Sequence, residues 1–200
     1  MKKELQLFLV HYNMPELGKA WCRFFDNQPN VNVVEADIFD INVDAIVSPG
    51  NSFGFMDGGL DLLISKQMGW AIQTELKKRI NASPLRELLV GQTETIATNN
   101  QLVICAPTMR IPGSDGILES VNAYLAMKAI LIEGLANNNI TSIAIPGLCT
   151  GTGKMSPFVA AKQMFAAYSE VILNQKPEFP LYIDAIKQQR YLKRDTPKYE

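Results

Sequence analysis

The sequence predicts an α/β fold in which helices cover both faces of a central mixed, mostly parallel β-sheet. Short apolar runs of strand length alternate with longer segments whose apolar residues recur at helical spacing. Two of the runs lead into glycine-rich loops that precede a helix, which is the pattern of a strand–loop–helix unit. The chain has 200 residues, 47% of them apolar and 20% charged. We therefore predict a single globular domain over 1–200.

The N-terminal part predicts a strand, a helix and a second strand. The apolar run 5–10 indicates a buried strand, and 14–25 has helical spacing with Pro15 near its start. The run 31–36 then indicates the second strand, so that the three elements form a βαβ unit. A third strand is expected over 44–47.

The rest of the chain continues this alternation. Helical spacing begins at Leu60, and Gly69 is expected to divide the segment into two helices. The runs 92–98 and 102–106 flank the turn signal Asn99-Asn100 and predict a hairpin near one edge of the sheet. The remaining predicted elements are a helix over 118–135, a strand over 142–145, a helix over 157–173 and a final short helix beyond Asn174. The core is expected over about 31–173, with 174–200 as an extension that ends in a frayed terminus.

Charge and metal-ligating residues exclude several classes of function. The formal net charge of −1 gives no global electrostatic reason for tight nucleic-acid binding. The cysteines, Cys22, Cys105 and Cys149, are far apart and lack CxxC spacing, so we predict neither a zinc site nor a disulfide framework. The single histidine, His11, is expected to be a hydrogen-bonded structural residue. No apolar run is long enough to span a bilayer, and a cytoplasmic location is the expectation.

The second glycine-rich loop, over 146–155, suggests phosphate binding but matches neither common nucleotide motif. A Walker A loop needs Ser or Thr after the lysine, and Met155 follows Lys154 here. The Rossmann motif needs a third glycine where Ser156 stands. A nucleoside triphosphatase and a nicotinamide dehydrogenase are therefore disfavoured.

Four short motifs in order along the chain resemble the macro domain family, which binds ADP-ribose. They are Ala36-Asp37-Ile38 at a strand end, Val47-Ser48-Pro49-Gly50-Asn51 at the next, Gly58-Gly59-Leu60-Asp61 at a helix start, and Ile145-Pro146-Gly147 through Gly153. The resemblance covers about 31–170 and implies a three-layer α/β/α macro-like domain. This chain departs from the family pattern at Ser48-Pro49-Gly50 and Phe55-Met56-Asp57.

The resemblance implies a role for each matching residue. Asp37 would accept a hydrogen bond from the adenine amino group, Ile38 would read the ring through its amide, and Asn51 would hold the distal ribose. Backbone amides of two glycine-rich segments would approach the diphosphate and the distal ribose; these segments are Gly58-Gly59 and Gly147-Leu148-Cys149-Thr150-Gly151-Thr152-Gly153. In hydrolytic members, the residues matching Asn51 and Asp61 position ribose and water. No metal or other cofactor is required.

Local structure offers alternative explanations for several of these residues. Asp37 could end a strand by bonding turn amides, and Asn51 could be an ordinary left-handed turn residue. Asp61 could be present because an acidic residue in the first turn of a helix is stabilised by the helix dipole. The glycines could serve tight turns alone, and Cys149 could be a packed core residue.

Two nucleotide-binding functions stay open at this point, beside a third reading as an α/β scaffold with no nucleotide function. The first is hydrolysis of an ADP-ribosyl bond at the distal ribose C1″, and the alternative is a non-catalytic reader or sequestering module. The expected partner is a small nucleotide or an ADP-ribosylated macromolecule, which includes nucleic acid only if it carries ADP-ribose. The family's adenine-stacking aromatic is not identified; Tyr168, Phe179, Tyr182 and Tyr191 are the candidates. Trp21 and Trp70 are expected in the core.

Overall fold

The central sheet has six strands in the order β2-β1-β6-β3-β5-β4. In the computed structural model, which describes residues 3–99, 101–113 and 116–195, all neighbouring strands are parallel except the antiparallel pair β4–β5 at one edge. The predicted mixed, mostly parallel sheet and the edge hairpin are confirmed. Asn100 of the predicted turn lies outside the described residues. The strands are β1 Gln6–His11, β2 Val31–Glu35, β3 Ala45–Ser48, β4 Glu94–Ala97, β5 Leu102–Cys105 and β6 Ser142–Ile145.

Helices cover both faces of the sheet, which confirms the three-layer architecture. They are α1 Pro15–Phe25, α2 Gly59–Met68, α3 Ala71–Ala82, α4 Asn122–Ala136, α5 Pro157–Val171 and α6 Tyr182–Lys193. The larger apolar core lies between the sheet and α1, α4 and α5, and a second cluster lies between the sheet and α2 and α3. Gly69 divides α2 from α3 with φ 95°, a backbone conformation that glycine adopts without steric cost.

The N-terminal βαβ unit belongs to the main core. β1 lies inside the sheet between β2 and β6, and Leu7, Leu9 and Trp21 are completely buried in the larger cluster. The apolar side chains of β1 and α1 pack in the main core together with those of α5. The expected position of Trp21 in the core is confirmed.

Two local predictions were wrong. The helix expected over 118–135 begins at Asn122, because the carbonyl of Ile117 accepts hydrogen bonds from the backbone N–H and hydroxyl of Ser120 and holds the preceding residues in a turn. Trp70, expected in the core, is 49% exposed. It stands at the break between α2 and α3, immediately before α3 begins, so its side chain does not share the helix face that packs on the sheet. The frayed terminus expected at the end of the chain falls on 196–200, outside the described residues.

Parallel strands place the candidate site at one edge of the sheet. The carboxyl ends of β2, β1, β6 and β3 face the same way, so the segments that follow these strands gather along that edge. These segments are Ala36–Asp37, Tyr12–Met14, the loop 146–156 and the loop 49–58. Among the described residues, no helix is long and apolar enough to cross a bilayer.

Candidate functional site

A cavity of about 760 Å³ opens along this edge of the sheet. Its volume is in the range of small-molecule and cofactor sites. All residues that the sequence assigned to the site line this cavity except Leu148, whose side chain is completely buried in the main core. The lining residues from the predicted set are Asp37, Ile38, Asn51, Gly58, Gly59, Asp61, Gly147, Cys149, Thr150, Gly151, Thr152 and Gly153.

Asp37 has a structural role and also faces the cavity. Its Oδ1 accepts a hydrogen bond from the backbone N–H of Phe39 at 3.1 Å, and this bond caps the short 3-10 turn Ile38–Asp40. The turn explanation is therefore correct for one carboxylate oxygen. The side chain is exposed and lines the cavity beside the buried Ile38. A carboxylate has a second oxygen that can accept a hydrogen bond from a ligand.

Asn51 organises the loop that follows β3. Its Oδ1 accepts from the backbone N–H groups of Phe53 and Phe55, and its Nδ2 donates to the carbonyl of Phe55 at 2.8 Å. The left-handed turn conformation considered for Asn51 is wrong, since its φ is not positive. An amide nitrogen carries two N–H groups, so the bond to Phe55 leaves one that could donate towards the cavity.

Asp61 lies in the first turn of α2 and is buried against the loop after β3. Its Oδ1 accepts a hydrogen bond from the Ser48 hydroxyl at 2.6 Å, and its Oδ2 lies beneath Gly50, where an added methyl group would be 2.8 Å away. Burial raises the pKa of Asp61 from 3.8 to about 6, and the bond from Ser48 opposes this rise. The carboxyl group can therefore gain or lose a proton close to neutral pH.

Ser48 and Gly50 were not recognised from the sequence as partners of Asp61. The signal was present, because both residues fall in the segment where this chain departs from the family pattern. Gly50 leaves room for the carboxylate, and Ser48 supplies its hydrogen-bond donor. The unusual segment and the acidic residue therefore form one buried unit on the cavity wall.

The glycines of the site divide into two kinds. A methyl group on Gly147 would lie 2.3 Å from Thr150 Oγ1, and one on Gly153 would lie 2.5 Å from the Cys149 carbonyl, so close packing of the loop requires both. A methyl group on Gly58 or Gly151 would meet nothing within 4 Å, and neither residue has a positive φ. Packing within the chain does not explain why glycine stands at these two positions.

Cys149 is a packed residue of the loop. It is 3% exposed, belongs to the main core, and takes a positive φ of 66° in the loop after β6. Burial raises the pKa of its thiol to about 12, so the thiolate needed for a nucleophile is scarce at neutral pH. The packing role considered for Cys149 is confirmed.

The aromatic side chains at the cavity differ from those considered in the sequence. Tyr168 is completely buried and donates its hydroxyl to Asn30, and Phe179, Tyr182 and Tyr191 are not among the cavity-lining residues. The aromatic residues that do line the cavity are Tyr12, which is 66% exposed, and Phe55, whose ring lies 3.9 Å from the Lys77 ammonium. Their isolated positions in the sequence gave no periodic signal.

His11 does not have the hydrogen bonds expected of it. It is 9% exposed and lines the cavity, yet its buried Nδ1 has no hydrogen-bond partner. Its ring packs near Trp21 with centroids 6.2 Å apart, and a methyl group on Gly18 would lie 2.3 Å from its Nε2. Among the described residues, no group of His, Cys, Asp and Glu side chains is arranged to hold a metal ion.

Known proteins resemble this chain in sequence. A model of the macro domain family matches residues 47–164. An uncharacterized protein of Aquifex aeolicus is 34% identical over 139 residues, which cover 68% of this chain and 78% of that protein. An uncharacterized protein of Aeropyrum pernix is 31% identical over 147 residues, which cover 74% of this chain and 72% of that protein.

Solved structures share the fold at low sequence identity. The macrodomain of Mycobacterium tuberculosis DarG superposes with a TM-score of 0.58 at 18% identity, covering 68% of this chain and 88% of that one. A Trypanosoma brucei macrodomain in complex with ADP gives a TM-score of 0.52 at 20% identity, covering 69% of this chain and 55% of that one. Because the family model matches more than half of the sequence, the chain belongs to the macro domain family.

Proposed function

We propose that the cavity binds ADP-ribose or a close derivative, with adenine beside Asp37 and Ile38 and the distal ribose beside Asn51. The order of the strands supports this orientation. β2 ends at the proposed adenine site, β6 ends at the glycine-rich loop, and β3 ends at Asn51, with β6 lying between the other two in the sheet. The chemical groups of ADP-ribose follow one another in the same order as these three parts of the cavity: the base, then the diphosphate, then the distal ribose.

The observation that carries the proposal is the pair of glycines that face open space. Gly58 precedes α2, and Gly151 lies in the loop between β6 and α5. Backbone N–H groups at such places bind phosphate well when no side chain stands in the way. A ligand in close contact with the backbone accounts for glycine at both positions. The related macrodomain of Trypanosoma brucei has been solved with ADP, which shares the base and the diphosphate.

Gly151→Ala tests this explanation directly. We expect the variant to fold like the wild type, since the added methyl group meets nothing within 4 Å in the free protein. Its affinity for ADP-ribose should fall by about tenfold, the effect of losing one hydrogen bond to a charged group. Gly113→Ala is the matched control, because a methyl group there also meets open space and Gly113 does not line the cavity. Equal affinities for both variants and the wild type would contradict the proposal.

A second pair of variants tests the adenine end. Asp37→Asn keeps an oxygen that can cap the turn at Phe39 but replaces the other acceptor by an N–H donor. We expect it to weaken ADP-ribose binding by about tenfold or more. Asp40→Asn, an exposed change in the same turn and outside the cavity lining, should leave binding unchanged. If both variants bind as the wild type does, the adenine site lies elsewhere.

We propose further that the protein hydrolyses an ADP-ribosyl bond at C1″ of the distal ribose. Asp61 supports this step, because it is a buried cavity-lining carboxylate whose pKa is about 6. It would accept a proton from the attacking water as the water oxygen bonds to C1″. The leaving group would depart with the electron pair of the broken C1″ bond, through a transition state with oxocarbenium character. Asn51 would orient the ribose with its remaining N–H.

Turnover assays separate this hydrolase from the reader. The substrates are an ADP-ribosyl carboxylate ester, an ADP-ribosyl arginine and ADP-ribose-1″-phosphate, each incubated at pH 7.5. A hydrolase releases ADP-ribose from at least one of them, and Asp61→Asn lowers kcat by about a hundredfold, the usual contribution of a general base. Tight binding of ADP-ribose with no turnover of any substrate would instead establish the non-catalytic reader.

A further inference from the structure

We propose that the distal end of the cavity selects an ADP-ribosyl group that is carried by a guanidinium, as in ADP-ribosylated arginine, and that Asp57 is the specificity-determining residue. The position of the distal ribose rests on the proposed function, but the selectivity assigned here belongs to Asp57 and its neighbours. The selectivity concerns binding, so it holds whether the protein hydrolyses the ADP-ribosyl bond or only recognises it.

The loop after β3 and the loop after β5 meet at Asn51, which marks the distal end of the cavity. Asn51 pairs with Met109 in an isolated parallel bridge, and the backbone N–H of Ser52 donates to the carbonyl of Arg110 at 3.0 Å. Within its own loop, Asn51 donates from Nδ2 to the carbonyl of Phe55 at 2.8 Å. A group attached to C1″ of a ribose beside Asn51 would therefore leave the cavity between these two loops.

The side chains at this end of the cavity are apolar or acidic. Phe55 and Ile111 line the cavity and are 50% and 57% exposed, so both present apolar surface at its mouth. Asp57 is exposed and lines the cavity two residues after Phe55. Asp61 adds a second carboxylate, which lies against Gly50 in the loop after β3. Among the described residues, the cavity lining includes no lysine or arginine.

Asp57 has no hydrogen-bond or ion-pair partner within the described part of the chain, although α2 begins two residues later. It belongs to a segment in which this chain departs from the family pattern. An unpaired carboxylate at the entrance of a diphosphate site lowers affinity, because the negative charges repel each other. A positive charge on the ligand offsets this repulsion by pairing with the carboxylate. A cationic carrier therefore gives Asp57 the partner that the chain does not supply.

The cations near this end of the cavity have partners of their own. Arg110 donates to both carboxylate oxygens of Glu87, at 2.6 and 2.9 Å, and its guanidinium lies over the ring of Phe53. Lys77 of α3 has its ammonium 3.9 Å from the centre of the Phe55 ring. Neither cation lines the cavity. A negatively charged carrier would therefore meet carboxylates at the cavity wall and no lining cation within the described residues.

A guanidinium suits these walls better than other carriers of ADP-ribose. It stays positive when one of its nitrogens is joined to C1″, its planar face packs on aromatic and apolar surface, and its N–H groups can bond a carboxylate. A carboxylate ester is neutral and leaves Asp57 unpaired. A phosphate on C1″ brings additional negative charge towards Asp57 and Asp61, and such like-charge contacts are unfavourable.

Calorimetric titrations with three ligands measure this selectivity. The ligands are ADP-ribosyl arginine, ADP-ribose and ADP-ribose-1″-phosphate, and the protein carries Asp61→Asn so that turnover is slow. EDTA in every buffer prevents a divalent cation from bridging the ligand and Asp57. We expect ADP-ribosyl arginine to bind about fivefold more tightly than ADP-ribose, and the 1″-phosphate about fivefold more weakly, which is the upper range for charges open to solvent. Raising the salt from about 50 mM to about 500 mM should reduce both ratios by screening.

Asp57→Asn and Asp40→Asn, each added to this background, form a matched pair of variants. Both remove one exposed negative charge, but only Asp57 lines the cavity. In Asp57→Asn, ADP-ribosyl arginine should lose its advantage over ADP-ribose, and the 1″-phosphate should bind about fivefold more tightly than it binds the parent. In Asp40→Asn, the ratios of the three affinities should equal those of the parent. Should the background not fold, wild-type affinities, or KM values where turnover occurs, give the same ratios.

The outcomes separate this inference from the proposed function. A preference for ADP-ribosyl arginine that Asp57→Asn abolishes and Asp40→Asn retains supports the inference. If ADP-ribose binds but the three ligands have equal affinities, or if the preference survives in Asp57→Asn, the inference is overturned and the proposed function stands. If ADP-ribose does not bind at all, the proposed function fails and the inference fails with it.

Discussion

Replacing Asp61 by asparagine should change how the stability of the protein depends on pH. Burial raises the pKa of this carboxyl group from 3.8 to about 6 in the folded state. The unfolded chain therefore loses the proton at lower pH than the folded chain does. Between these two values the folded state binds more protons, so raising the pH through this range favours unfolding.

The magnitude follows from the same two values. One pKa unit corresponds to about 1.4 kcal/mol, so the contribution of Asp61 amounts to about 3 kcal/mol in all. It is fully present below about pH 4 and is lost as the pH rises through 6. Asparagine has the same shape, can still accept a hydrogen bond from Ser48, and does not titrate. The free energy of unfolding of Asp61→Asn minus that of the wild type should therefore rise by about 3 kcal/mol from pH 4 to pH 8.

Urea unfolding of both proteins at pH 4, 5, 6, 7 and 8 measures this difference. Subtracting the wild type removes the effects of other groups, such as Asp44, whose pKa is lowered by hydrogen bonds from Thr141 and Ser142. Asp57→Asn, an exposed change at the same cavity, is the control and should alter the free energy by less than about 0.5 kcal/mol. A flat difference for Asp61→Asn, or one that falls with pH, would refute the reasoning about its burial.

Three further predictions concern single side chains. Ser48→Ala removes the hydrogen bond that lowers the pKa of Asp61, so the pKa of Asp61 should rise above 6. In urea unfolding, the free energy of unfolding should fall by about 2 kcal/mol at pH 8 and by less at pH 5. Tyr168→Phe leaves the buried Asn30 oxygen without its donor and should lower the free energy of unfolding by about 1–3 kcal/mol, whereas an unchanged value would show that water replaces the hydroxyl. If the protein is a hydrolase, kcat should fall tenfold per pH unit below about pH 6, as Asp61 becomes protonated; a constant kcat down to pH 5 would exclude Asp61 as the base.

The architecture could be predicted from the sequence because each strand and helix has its own periodic signal. The positions of β1, β3 and β6 follow from short apolar runs, and Gly69 marks the break between two helices. The failures were local. Ser120 delays the start of α4 by bonding a backbone carbonyl, and Trp70 stands at a helix junction. Neither effect changes the hydrophobic pattern from which the helices were predicted.

The candidate site was predictable in its outline because strand ends and glycines are visible in the sequence. Its internal partners were not, since they depend on how the loop after β3 folds on itself and against α2. Asp61 is paired with Ser48 across the start of α2, and Asn51 uses most of its hydrogen-bonding capacity within its own loop. The packing of several elements also determines which aromatic residues reach the cavity. Tyr168 is buried in the core, whereas Tyr12 lines the cavity.

The missing partner of His11 could not have been predicted from the sequence either. A lone histidine at a strand end is usually a satisfied structural residue, and only the geometry shows that Nδ1 lacks a partner. Its neighbour Gly18 lies seven positions along the chain and belongs to a helix whose pattern gives no indication of an imidazole beside it.

Calorimetric titration of the wild-type protein with ADP-ribose tests the central claim most directly. The cavity of about 760 Å³, the open glycines and the acceptor at Asp37 predict saturable binding of one ADP-ribose per chain. ADP should bind more weakly because it lacks the distal ribose, and adenosine more weakly still because it also lacks the diphosphate. The absence of any binding heat with ADP-ribose, at concentrations up to the millimolar range that marks the weakest specific sites, would contradict this claim.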